Sequence, residues 1–112
     1  MSGRYVPARG DFVWLQFSPQ SGHEQAGHRP AFVISPEAYN RKTGLALVCP
    51  LTTQVKGYPF EVAVPAGQKA KGVILSDQIK SLDWRARQAT LLGRADAALV
   101  AEVLAKAMTL LS

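Results

Sequence analysis

One hundred and twelve residues suffice for one hydrophobic core and not for two, which excludes a multidomain enzyme and leaves residues 1–112 as one expected domain. An apolar share of 47% excludes a disordered chain, and a lone cysteine, Cys49, excludes an internal disulfide. Thirteen Lys and Arg against eight Asp and Glu give +5 and a pI near 9.7. Beyond residue 94 the charges are Asp96, Glu102 and Lys106, a net of −1, so the preceding chain carries +6. A basic surface there suits RNA, DNA or an acidic protein, though the same excess also serves solubility. No segment approaches the length of a membrane span and the N-terminus has no apolar run, so a soluble cytoplasmic protein is expected.

Residues 11–17, rich in aromatic and branched types after a glycine turn, predict a first strand. Its period of two puts Val13, Leu15 and Phe17 on one face and Phe12, Trp14 and Gln16 on the other; the second face ends polar, so the first is the expected core face. Residues 18–28 read as a long loop, expected to be mobile from its two glycines and polar content. A second strand is expected at 29–35, with Arg29 at the junction. Its guanidinium is always charged and presents five donors in a planar fork that suits a phosphate, and Pro30 restricts how it is displayed.

Ser35-Pro36-Glu37 opens a short helix or turn to Asn40, and Lys42-Thr43-Gly44 ends it. The third strand, 45–52, contains Pro50, which cannot donate to a ladder and marks an edge or bulge just before Thr52 and Thr53. Residues 54–59 form a turn, 60–64 a fourth strand and 73–75 a fifth. Residues 77–83 fit either one helical turn or a strand, and a sixth strand is expected around 89–92. The last segment reads as a helix capped by Asp96, with Leu99, Val103, Leu104, Ala107, Leu110 and Leu111 as its apolar stripe. The expected architecture is a mostly antiparallel barrel or sheet capped by a helix.

His23 and His28 bring no metal-ligand spacing with them, and no metal or cofactor is expected. His28 is by residue type a candidate acid or base, although a loop histidine is also simply solvated. Thr52 alone reads as a residue filling a pleat, and Lys56 and Lys80 as solvated cations. Phe17 either caps the core or offers a base a stacking surface. Trp84-Arg85-Ala86-Arg87 is compatible with nucleic-acid contact, or with Trp84 in the core and the arginines in water.

Arg4-Tyr5-Val6-Pro7, Glu24-Gln25-Ala26-Gly27-His28-Arg29-Pro30, Ser35-Pro36, Tyr39-Asn40, Lys42-Thr43-Gly44, Pro50, Thr52-Thr53-Gln54, Lys56 through Val62, Asp77-Gln78, Lys80-Ser81 and Trp84 through Arg87 together closely resemble the MazF/PemK family of toxin endoribonucleases. The likeness runs in unbroken order from residue 4 to about 90. It implies an SH3-like, partly open barrel of about six or seven short strands with a C-terminal helix, assembled as a homodimer. It also implies metal-independent cleavage of single-stranded RNA at a short motif, with ACA-containing sites favoured among close relatives, and neutralisation by a cognate MazE-like antitoxin with an acidic tail. Carried over residue by residue, Arg29 and Thr52 are the catalytic pair, and Phe17, Glu24, Gln25, His28, Lys56, Gln78 and Lys80 fall at or beside an RNA groove expected to be positive. Gln16 and Ser18 stand where some close relatives have aspartates.

The residue types fit that chemistry. RNA supplies its own nucleophile, the 2′-OH, so the protein need only align it and stabilise charge on phosphorus. The resemblance also casts the arginine as acid and base; a guanidinium that stays charged is a poor base, which favours electrostatic stabilisation, with protons moving through water, His28 or a substrate group. Two rivals use the same scaffold: a non-catalytic nucleic-acid-binding module, and a toxin directed at gyrase like CcdB.

Overall fold

The computed structural model describes residues 5–17 and 27–112, without the Phe17 side chain. The expected mobile loop, save for Gly27 and His28, and the candidates Glu24 and Gln25 lie outside the described residues. Nine elements follow in order: β1 (Asp11–Phe17), β2 (Gly27–Val33), α1 (Glu37–Thr43), β3 (Leu45–Thr52), β4 (Glu61–Ala63), β5 (Val73–Leu75), β6 (Lys80–Asp83), β7 (Thr90–Arg94) and α2 (Ala97–Met108). The seven strands form an antiparallel sheet in the order β4-β5-β3-β2-β1-β7, with β6 attached to β3; the path does not close among the described strands, as expected of a partly open barrel.

β3 is the hub. One edge meets β2 at residues 48–50; the other meets β6 at residues 45–48 and then β5 at Leu51 and Thr52. The ladder to β2 stops at the Ala31–Pro50 pair. Pro50 has no N–H to extend a ladder, so the chain changes partners there and delivers its last two residues to β5.

Both faces of the sheet are covered. Phe12, Phe32, Cys49, Val62 and Ile74 pack against Leu99 and Val103 of α2, while Val13, Leu15, Ala31, Val33 and Val48 pack with Trp84 under Tyr5, Val6 and Ala89. The expectation of a single core face on β1 is therefore corrected: Phe12 is as buried as Leu15 because α2 closes the other side. Trp84 takes the core alternative, and Arg85 stacks on it at 4.8 Å.

Other boundaries shift for local reasons. β2 begins at Gly27, since its ladder with β1 runs on through Gln16–His28 and Phe17–Gly27. α1 continues to Thr43 before Gly44, at φ 76°, ends it in the left-handed conformation that glycine tolerates best. Residues 80–83 take the strand alternative by pairing with β3. Asp96 caps α2 as expected, its Oδ1 accepting from Leu99 N at 2.9 Å, but the helix ends at Met108 and leaves Leu110 and Leu111 exposed beyond it.

Candidate active site

Arg29 is the third residue of β2, opposite Leu15 of β1, with an exposed side chain. Ala31 stands opposite Pro50, the last pair of that ladder; Arg29 lies two residues before Ala31 on β2, and Thr52 two residues after Pro50 on β3, where it pairs with Val73 of β5. Alternation gives both the face that carries Ala31 and Pro50. Two residues far apart in sequence thus flank the point where β3 leaves β2.

Thr52 is half-buried, and its Oγ1 accepts from Gln54 N at 3.1 Å. A hydroxyl accepts through its lone pairs and donates through its single proton, so this contact fixes the oxygen and leaves the O–H to donate. Thr52 lines a cavity of about 190 Å³ with Gln54, Lys56, Tyr58, Glu61, Leu75, Asp77 and Gln78. The sequence candidates Thr52, Lys56 and Gln78 therefore come together. Lys80 opens β6 opposite Val48 and is exposed outside that cavity, so Arg29 and Lys80 flank β3 from its two edges.

His28 neighbours Arg29 in sequence, but alternation turns it to the opposite face of β2, where its ring lies 6.2 Å from that of Trp14. Phe17 ends β1 opposite Gly27.

Sequence reading missed Tyr58, Glu61 and Asp77 as cavity residues. The Glu61 carboxylate accepts from Lys56 N at 3.0 Å and Gly57 N at 2.9 Å, bridging the 54–59 turn back to β4. Tyr58 is 60% exposed on the rim, an aromatic surface open to a planar ligand. Asp77 follows β5 in the turn closed by Gln78 N donating to Leu75 O at 3.1 Å. The Gly-Tyr-Pro turn was the available signal for Tyr58, since a turn displays its side chains to solvent; only pairing across β5 could have placed Asp77.

These acids temper the expectation of a positive groove. The cavity is lined by one lysine and two carboxylates. Among the described residues, no three His, Cys, Asp or Glu side chains cluster as metal ligands. Cys49 is fully buried, and burial, helped by Asp77, pushes its thiol up to about 12, in keeping with a core role.

Known proteins resemble this arrangement along most of its length. The family profile described as PemK-like, MazF-like toxin of type II toxin-antitoxin system matches residues 8–111. The chain is 60% identical over 90 residues to Endoribonuclease toxin MazF of Escherichia coli (strain K12), covering 80% of each protein. It is 33% identical over 108 residues to Endoribonuclease PemK of Escherichia coli, covering 93% of this chain and 81% of that one. A chain of the solved MazE–MazF structure (Form-II) from Deinococcus radiodurans superposes with a TM-score of 0.92 at 55% identity, covering 96% of this chain and 97% of that one.

Proposed function

The chain belongs to the PemK-like, MazF-like toxin family of type II toxin–antitoxin systems, and on that premise we propose that it is an endoribonuclease cutting single-stranded RNA at a short motif, with Arg29 and Thr52 carrying the chemistry. The observation that supports this reading most is the cavity that gathers Thr52, Lys56 and Gln78 just beyond the last β2–β3 pair, Ala31–Pro50. A ribose 2′-OH attacks the adjacent phosphorus, the P–O5′ bond breaks, and the products are a 2′,3′-cyclic phosphate and a 5′-OH. The 2′ proton leaves as the 5′ oxygen gains one. The reaction needs no external nucleophile and no metal.

Arg29 sets guanidinium N–H groups against the non-bridging oxygens as they gain charge, and the Thr52 O–H adds a further donor. The turn of His28 to the opposite face favours water or a substrate group as the proton carrier, with His28 reserved for RNA contact. Lys56, Gln78 and Lys80 bind phosphates and base edges along the groove; Tyr58 adds a stacking surface. Phe17, Glu24 and Gln25 complete the RNA-binding set that the family resemblance implies, and the motif is expected to be related to ACA.

The protein works in the cytoplasm, and an antitoxin with an acidic tail neutralises it, a reading supported by its likeness to MazF solved with MazE. An apolar groove of about 510 Å³, lined by Tyr39, Leu47, Ile79, Leu104 and Leu111 among others, is available to a second copy in the expected homodimer.

The test incubates the purified chain, free of antitoxin, with a long RNA in EDTA and maps the new 5′ ends. Cuts at one recurrent motif, abolished by a single 2′-deoxy at the scissile nucleotide and by Arg29→Ala, are expected. Binding without cleavage at high protein concentration would establish the non-catalytic module instead, and indifference to RNA would point to a protein target.

A further inference from the structure

The first turn before β5 approaches the reactive end of β3 more closely than any side chain would permit. Gly72 has φ +99°, and a Cβ built on it would lie 2.2 Å from the Thr52 carbonyl oxygen, 2.9 Å from the Thr52 carbonyl carbon and 3.1 Å from the Thr53 Cα. All three atoms are backbone, so no rotamer change relieves the contact. Gly72 is itself held, because its carbonyl accepts from Val64 N at 3.0 Å and the next residue, Val73, pairs with Thr52.

We infer that Gly72 is a positioning residue for Thr52: its bare Cα lets the chain entering β5 lie against the Thr52 carbonyl and fixes where the hydroxyl stands at the cavity. The inference rests on the ribonuclease reading and adds a residue to it that touches neither RNA nor the reacting atoms. Thr52 is gripped at two points, its carbonyl against Gly72 and its Oγ1 by Gln54 N. Any residue with a Cβ at position 72 forces the end of β3 outward by about 1 Å to reach ordinary contact, and a displacement of ~1 Å in a catalytic group is enough to lower a rate about 10²-fold.

A merely structural glycine would act on stability alone, so the experiment separates the two. Gly67 provides the control: it has nearly the same φ, +94°, but open space where its Cβ would be. Single-turnover cleavage of a short RNA is measured for the wild type, Gly67→Ala, Gly72→Ala, Thr52→Val and the Gly72→Ala/Thr52→Val double variant. Affinity for the 2′-deoxy substrate analogue and thermal melting are recorded alongside. Gly72→Ala is expected to lose about 10²-fold in cleavage rate while binding the analogue within about threefold of wild type, and Gly67→Ala to keep its rate. On the Thr52→Val background, Gly72→Ala is expected to cost less than about threefold more, since the hydroxyl it positions is already gone.

A full additional loss in the double variant, an undiminished rate in Gly72→Ala, or a Gly72→Ala chain that does not fold where Gly67→Ala does would each overturn the inference and assign the glycine to fold stability. A wild-type protein that does not cleave RNA defeats the proposed function instead, so the two failures are distinguishable.

Discussion

The two ends of β3 use polar residues in opposite ways. At the Leu45 end, Asn40 is fully buried: its amide donates to Pro7 O and Ser35 O, its Oδ1 accepts from Ser35 Oγ, and its own carbonyl accepts from Trp84 Nε1. Ser35 Oγ in turn accepts from Leu47 N at 2.8 Å. At the Thr52 end, the side chains of Gln54, Lys56, Tyr58 and Gln78 stand in solvent around a cavity. The lesson is that polar groups with their hydrogen-bonding capacity used up hold a fold together, whereas those with capacity left over can bind and react.

The sharpest way to break that contrast is Arg29→Ala. Cleavage is expected to fall ~10²–10³-fold with the melting temperature nearly unchanged, because the side chain is exposed and its proposed role is charge stabilisation. A large loss of stability would show that the open end also carries the fold. Asn40→Ala is the mirror experiment. It strands buried partners of Ser35 and Pro7, so urea unfolding should register a loss of about 2–3 kcal/mol, with the single-turnover rate of the folded fraction unaltered.

Glu61→Ala lies between the two, since Glu61 touches the cavity yet spends both oxygens on backbone N–H groups. Releasing the 54–59 turn is expected to raise KM severalfold, with a smaller effect on kcat; an effect on kcat alone would move Glu61 into the chemistry.

The smallest effect is alkaline. Burial and the Asp11 hydrogen bond raise Tyr5, and burial raises Cys49, so both hold their protons more tightly folded than unfolded. Their contribution to stability is intact below the unfolded values, near 9.0 for the thiol, and is lost as the pH climbs towards about 12. Melting temperature against pH should therefore decline above about 9, and Cys49 should resist alkylation at pH 8 until the chain unfolds.

How much of this was readable beforehand follows from how local each signal is. β1, β3 and β5 have their expected bounds because branched and aromatic runs end at glycine, proline or polar punctuation. β2 begins and ends two residues earlier than expected, since a glycine that ordinarily breaks a strand is held by pairing with Phe17. The leucines at 110 and 111 continue the helical period, but period alone does not reveal where a helix stops. In the proposed site, chemistry singled out Arg29 and family resemblance Thr52. Asp77 and Gly72 were not, because each acquires its meaning from a strand some twenty residues away in sequence.

Pro50 has a mechanical consequence. On one side of it β3 is laced to β2, and on the other it is laced only to β5, so the β4–β5 pair hangs from the rest of the sheet by the ladder of Leu51 and Thr52. The walls of the cavity come from both sides of this seam, with Thr52 and Gln54 on one and Glu61, Leu75 and Asp77 on the other. Val62 and Ile74 nevertheless sink into the core beside Leu99 and Val103, so the far wall of the cavity is held by side-chain packing where sheet hydrogen bonds are few.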